Sequence, residues 1–252
     1  MIHGRTVAAV TCLHFGKDYL PHAMRSVADV VDQFYVMYSP IPNHGVFDIS
    51  HPCPDSRDDL MGAAFSVAPD STRWFEYDRW NSEGEQFKAA WPHAIDAGAD
   101  VIVKLDADEL WSPHLLADAI AHGIQQQARE IRVPLVHYWR SFHKGFTGDP
   151  AAPGRIYLRE FDSGETAYAP PDAMGRIHHF GYALPVDLMR YKMRSHGHSR
   201  EFTNPNWLDE VYIANRQTDC HPIGSDAWMS VEDITPPDFL MDHPFAKLTL
   251  IE

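Results

Sequence analysis

One stretch constrains this chain more than any other: Val101-Ile102-Val103-Lys104-Leu105-Asp106-Ala107-Asp108-Glu109-Leu110-Trp111. Its apolar, β-branched start reads as a strand buried in the middle of a sheet, because a strand covered on both faces has no polar alternation. The strand runs into Asp106, Asp108 and Glu109, and a helix follows. Ser112-Pro113 supplies an N-cap and a first-turn proline ahead of Leu115, Leu116, Ala119 and Ile120. In an open α/β sheet, ligands bind outside the carboxyl ends of the strands. Asp106 and Asp108 therefore stand where such a fold does its chemistry. Two residues apart in extended or turn backbone, their side chains can converge on one divalent cation. Carboxylate oxygens suit Mg²⁺ or Mn²⁺, which keep waters and bind substrate phosphates. The competing reading is a solvated acidic turn that caps the next helix.

Composition narrows the class. The chain has 252 residues, 44% hydrophobic and 22% charged, enough for one large α/β domain. A formal charge of −14, from 35 acidic against 21 basic residues, repels polyanions and excludes strong general nucleic-acid binding. Only a local basic groove around Arg190, Lys192, Arg194 and Arg200 would admit DNA. Cys12, Cys53 and Cys220 are isolated and lack Cys-x-x-Cys spacing, which fits reduced thiols. No apolar run is long enough to span a bilayer, and Met1–Arg5 has no signal-peptide pattern, so a cytoplasmic location is expected.

The pattern along the chain is β-α-β-α-β-α-β. Thr6–Leu13 is a strand, followed by helical spacing of Leu20, Ala23, Met24, Val27 and Val31. Gln33–Tyr38 is the second strand. Ser39–Ser56 is a long loop rich in Pro, His, Asn and Ser, of a kind that is usually functional or mobile. Asp58–Ser66 is a short helix and Arg73–Tyr77 a strand. The capping box Ser82-Glu83-Gly84-Glu85 opens a helix through about Ala97. This order implies a mostly parallel sheet with right-handed crossovers. Ile131–Trp139 reads as a further strand, with Pro134 marking an edge or bulge. Beyond it, Arg155–Phe161 is a strand, Pro185–Arg194 a helix, and Asn204-Pro205 opens another. The tail from Thr218 has no assigned pattern.

No phosphate-binding Gly-x-x-x-x-Gly-Lys-Ser/Thr, Gly-x-Gly-x-x-Gly or nucleophile-elbow Gly-x-Ser-x-Gly is present. What remains resembles a known family. Leu105-Asp106-Ala107-Asp108-Glu109, behind the helix that ends at Gly98, resembles the acidic motif of family-2 glycosyltransferases of GT-A fold. The branch most like it reads Asp-Ala-Asp-Glu and includes lipopolysaccharide-core transferases. Thr11-Cys12-Leu13-His14 through Leu20 resembles the family's first strand and helix, where the nucleotide base binds. Asn81–Lys88 stands where relatives carry an arginine pair, here replaced by Gln86-Phe87-Lys88.

The resemblance implies a single GT-A-like (Rossmann-like) domain with a mostly parallel central sheet, flanking helices and a loop-rich C-terminal region. Residues 1–139 would form the nucleotide-sugar-binding half. Residues 140–252 would form the acceptor side and tail of the same domain. The donor would be a nucleotide-diphosphate sugar, with Mn²⁺ or Mg²⁺ bridging its phosphates. Thr11, Leu13, His14, Tyr38, Arg57, Trp80, Gln86, Lys104, Asp106 and Ala107 are the expected donor contacts. Asp106 faces the ribose or sugar and counts with Asp108 as a metal-ligand candidate. His179, in Ile177-His178-His179-Phe180, is the favoured third ligand, and His198 follows it. Glu160 and Asp162 are the expected catalytic carboxylates for inverting transfer to an acceptor hydroxyl. A nucleotidyltransferase or a non-catalytic carbohydrate binder of the same fold are the alternatives. The acceptor, a saccharide or a modified DNA base among others, and the oligomeric state stay open.

Overall fold

The strand that ends in the acids does lie at the centre of a sheet. A computed structural model describes residues 2, 4–43, 52–146, 151–170, 174–195, 204–218, 220, 222 and 230–252. Its first half runs β1 (Val7–Leu13), α1 (Leu20–Val27), β2 (Gln33–Tyr38), α2 (Arg57–Phe65), β3 (Thr72–Glu76), α3 (Glu83–Ala89), α4 (Trp91–Asp96) and β4 (Val101–Lys104). Then come β5 (Glu109–Trp111), α5 (Leu115–Gln125), β6 (Glu130–Arg132), β7 (Leu135–Trp139), β8 (Lys144–Phe146), β9 (Gly154–Leu158) and β10 (Thr166–Tyr168). The chain continues through β11 (Ile177–Tyr182), α6 (Val186–Ser195), a π-helical turn (Leu208–Ile213) and β12 (Val231–Asp233).

Seven strands form the central sheet in the order β10-β6-β9-β4-β1-β2-β3. β4-β1-β2-β3 pair in parallel, as do β6 and β10, and β9 alone runs against its neighbours β4 and β6. The expected mostly parallel α/β sheet flanked by helices is therefore present. β4 is buried on both faces. Val101 and Val103 pack with α1 and α5, whereas Ile102 packs with Phe87 and Ala94. Burying both faces is why the strand reads as a continuous apolar run.

Four local expectations change. The helix opened by Ser82 breaks at Trp91-Pro92 into α3 and α4, because Pro92 has no N–H to continue the first. The run 131–139 is two strands, since Pro134 ends β6 in the central sheet and releases β7 into a second sheet. The acids are followed by a strand before the helix. β5 pairs with β11 in antiparallel register, setting Glu109 opposite His179. Ser112 caps nothing: His114, at φ 65°, precedes α5, and Ser112 Oγ donates to Arg176 O instead.

The second sheet, β12-β8-β7-β11-β5, covers an aromatic core of Tyr138, Trp139, Phe142, Phe180, Trp207 and Tyr212. It draws β5 and β7 from the first half of the chain, while β9 and β10 return to the first sheet. The division at residue 139 thus does not separate the sheets. The unassigned tail belongs to this second layer, with β12 beside β8, and Leu240 and Ile251 buried. Among the described residues no helix is long and apolar enough to cross a membrane.

Candidate donor and cation site

The acidic loop is fixed from both sides. Leu105 N still donates to Val10 O at 3.0 Å, so β4 delivers the chain to Asp106 in register with β1. Across the loop, the turn after β1 packs against it. Gly16 has φ +110°, and a Cβ there would stand 3.2 Å from the Ala107 Cβ. The same turn is tied down by Asp55, whose Oδ2 accepts from Gly16 N at 2.6 Å and Lys17 N at 3.1 Å. Lys17 is turned toward Asp55 and Asp59 and does not line the cleft.

Three cations divide the acids between them. Arg155, at the start of β9, donates to Asp106 Oδ2 at 2.7 Å and grips Glu109 with Nε and Nη2. Lys104 lies 2.5 Å from Glu83 and 3.9 Å from Asp106. Lys192 of α6 donates to Asp108 Oδ2 at 3.3 Å and to Gly181 O at 3.0 Å. Burial alone would raise the Asp106 and Asp108 carboxyls. Arg155 outweighs it for Asp106, and Lys192 outweighs it for Asp108, so both are held below the usual carboxylate range. Glu109 has no exposed surface, and burial pushes it up to about 7 against the pull of Arg155.

His179 Nε2 faces Asp108 Oδ1 at 3.6 Å. Burial lowers this imidazole to about 3, which leaves it neutral and able to ligate at neutral pH. Its Nδ1 is buried and finds no hydrogen-bond partner among the described residues. Two ligands each about 2.1 Å from one ion fit a 3.6 Å separation. Asp108 and His179 thus suit a divalent cation as a pair. Among the described residues no group of three His, Cys, Asp or Glu side chains is gathered for a metal, so a cation there would draw its remaining ligands from elsewhere. Asp106, engaged by Arg155, is not the partner that faces His179.

A cleft of about 300 Å³ opens over this loop, lined among others by His14, Asn43, Glu83, Gln86, Asp106, Asp108, His179 and Lys192. Of the expected donor contacts, His14, Gln86, Asp106 and Ala107 line it, and Lys104 lies just behind. His14 is held between Ser39 O at 2.7 Å and the Tyr191 hydroxyl. Gln86 donates to Met37 O and accepts from Asn43, both at 2.5 Å. Thr11 and Leu13 are buried within β1, Tyr38 stacks on Trp74, and Trp80 packs beside Tyr77. Arg57 pairs with Glu76 and Asp58 outside the cleft.

Glu160 and Asp162 are the clear correction. β9 runs antiparallel to β4, so residues after it emerge at the opposite end of the sheet from Asp106. There Arg159 bonds to Ala99 O and Asp100 O, and Glu160 pairs with Arg5. His179 lies on β11, and His178 points the other way, to Tyr138 and Ser112. His198 and Arg200 lie outside the described residues, as do residues 44–51 of the long loop. Lys192 is buried in the cleft wall and so is no part of an exposed basic groove.

Arg155 and Gly181 were not expected, and Lys192 was expected only in a basic groove. A buried Glu109 in an apolar strand demands a cation, which is the signal for an arginine somewhere. Lys192 sits one turn beyond Leu188 on the apolar face of its helix, an odd place for a solvated lysine.

No family model matches the chain, and no curated protein does. Its similarities are to solved structures. Glucosyl-3-phosphoglycerate synthase from Mycobacterium tuberculosis, in complex with Mn²⁺, uridine diphosphate and glucosyl-3-phosphoglycerate, is 12% identical with a TM-score of 0.43, over 70% of this chain and 72% of that one. The same synthase with Mg²⁺ and uridine diphosphate gives 13% identity and 0.42 over the same shares. S. aureus TarS 1-349 gives 11% and 0.44, over 75% of this chain and 65% of that one. Likenesses this distant assign no activity to this chain.

Proposed function

We propose that this chain is a glycosyltransferase that moves a sugar from a nucleoside-diphosphate sugar to an acceptor hydroxyl, aided by Mn²⁺ or Mg²⁺. One observation carries the reading. The fold brings a carboxylate, Asp108, and a neutral imidazole, His179, face to face at 3.6 Å in the cleft at the carboxyl ends of parallel strands. The Asp-Ala-Asp-Glu motif and its resemblance to family-2 transferases supply the reaction class.

The chain's own groups have defined tasks in this reading. Asp108 and His179 hold the cation, which when bound stabilises the charge that builds on the departing diphosphate. Arg155 clamps Asp106 against Glu109 and so sets the one Asp106 oxygen that remains toward the cleft. His14 and Gln86, each fixed by backbone carbonyls, shape the wall next to it. Burial keeps His179 unprotonated, so cation binding releases no proton from it above about pH 5. The free thiols of Cys12, Cys53 and Cys220 agree with a reducing, cytoplasmic setting.

The test is turnover of a panel of nucleotide sugars with Mn²⁺, followed by release of the nucleoside diphosphate, with Asp108→Asn as control. The account expects one donor to be turned over only with a divalent cation and not by the variant. The anomeric configuration of the product, read by NMR, decides whether transfer proceeds with the expected inversion. Absence of turnover with every donor, while nucleoside diphosphates also fail to bind, would remove the assignment.

A further inference from the structure

The Asp108 carboxylate faces two partners at once, a neutral imidazole and an ammonium. Oδ1 faces the His179 ring at 3.6 Å, and Oδ2 accepts from the Lys192 ammonium at 3.3 Å. Lys192 is 8% exposed, anchored by Gly181 O at 3.0 Å, and lines the same cleft. Space for this arrangement comes from Gly181, where a Cβ would stand 2.8 Å from His179 Nε2 and 3.1 Å from Lys192 Nζ. An ammonium and a divalent ion on one carboxylate repel each other. At a separation of a few ångströms inside a cleft, that repulsion is only partly screened and weakens cation binding. A diphosphate changes the balance, because its oxygens accept from an ammonium as well as a carboxylate does and carry more charge.

We propose that Lys192 is a diphosphate-binding residue held in reserve: it occupies Asp108 while the cleft is empty and passes to the donor's diphosphate when the cation takes Asp108. The inference rests on the donor-site reading above and adds an order to it. Cation alone must compete with Lys192 for Asp108 and binds weakly. Cation with diphosphate gives Lys192 a second partner and binds tightly. Binding of the two is therefore positively coupled, and by linkage each strengthens the other by the same factor. A free cation would seldom occupy the site without the substrate that needs it.

The experiment measures Mn²⁺ affinity by the EPR signal of free Mn²⁺, with and without uridine diphosphate, for the unaltered chain and for Lys192→Met. Removing the competing ammonium should tighten binding of Mn²⁺ alone by about tenfold, and removing the phosphate contact should shrink the gain from uridine diphosphate by about tenfold. These opposite shifts separate competition from simple damage to the site, which would weaken both. Unchanged or weaker binding of Mn²⁺ alone by the variant would overturn the inference. So would a full uridine diphosphate effect retained in Lys192→Met, with the donor-site reading left standing. If no nucleoside diphosphate alters Mn²⁺ affinity of the unaltered chain, both fall together. Should Lys192→Met not fold, the unaltered chain decides: the Lys192 ε-carbon NMR resonance must move on adding Mg²⁺ with uridine diphosphate, and a fixed resonance contradicts the proposal.

Discussion

The residues of the site differ in what they hold. Arg155 is the structural hinge of the acidic loop, with Glu109 fully buried behind it. Arg155→Met leaves that carboxyl without its partner and should destabilise the chain by ~3–5 kcal/mol, because a broken buried pair costs more than the intact pair contributes. Adding Glu109→Gln should restore a large part of the loss, and urea melts of both single variants and the double variant measure the coupling. A double variant as unstable as the sum of its singles would show that Arg155 and Glu109 do not act as a pair. The two adjacent histidines should separate cleanly. His179→Ala should weaken Mn²⁺ binding in the presence of uridine diphosphate with little effect on melting. His178→Ala should do the reverse, since His178 bonds to the Tyr138 hydroxyl at 2.8 Å away from the cleft. The acids were legible in the sequence because they interrupt an apolar run. Their cations were harder to read, because Arg155 and Lys192 lie far along the chain and only the place of Lys192 on an apolar helix face marks it.

Elements were legible where periodicity was strong. β1, β2, β4 and α1 follow from apolar spacing, and Ser82 accepts from Glu85 N at 3.1 Å as its capping box requires. Pairing was less legible. β9 reads as a strand from its residues, yet nothing in them shows that it runs against β4, and that direction is what carries Glu160 and Asp162 away from the site. β11 was hidden because His178-His179 breaks the apolar signal of a strand that is in fact buried. Two glycines test the packing between elements. Gly123 lets α5 close on the sheet: a Cβ would stand 2.5 Å from Ile131 Cδ1 and 2.9 Å from Leu158 Cδ1. Gly123→Ala should therefore cost about 1–3 kcal/mol through overpacking, read as a lower urea midpoint. Gly181→Ala should act differently, displacing the His179 ring and Lys192, and should weaken Mn²⁺ binding by more than it lowers the melting temperature. Equal Mn²⁺ affinity in Gly181→Ala and the unaltered chain would show that the close packing over Gly181 does not matter to the site.

At the scale of the molecule, the acid limb of stability belongs to buried histidines. Burial lowers His178 to about 4 and His179 and His243 to about 3, whereas unfolded they titrate near 6.5. Between those values the unfolded chain binds protons that the folded chain refuses. Stability present above about pH 6.5 is thus lost as pH falls toward 3 to 4, at up to about 1.4 kcal/mol per pH unit for each group. Denaturation with urea from pH 8 to pH 4.5 should show the decline beginning well above the range where carboxylates titrate, and His243→Gln should flatten it. A flat profile down to pH 5 would contradict the burial of these rings. The same two-layer architecture explains why the C-terminal half was the hardest part to read: its core is built from aromatic residues of a second sheet that borrows β5 and β7 from upstream. The central claim is that the cleft over Asp106–Asp108 binds a nucleoside diphosphate through a divalent cation held by Asp108 and His179. Calorimetric titration of uridine diphosphate and guanosine diphosphate, with Mn²⁺ and then with EDTA, tests it most directly on the unaltered chain and on Asp108→Asn. The account predicts binding of one nucleotide that weakens at least about a hundredfold, some 2.7 kcal/mol, on removing Mn²⁺ or on substituting Asp108. Equal binding by Asp108→Asn, or binding indifferent to the cation, would contradict it.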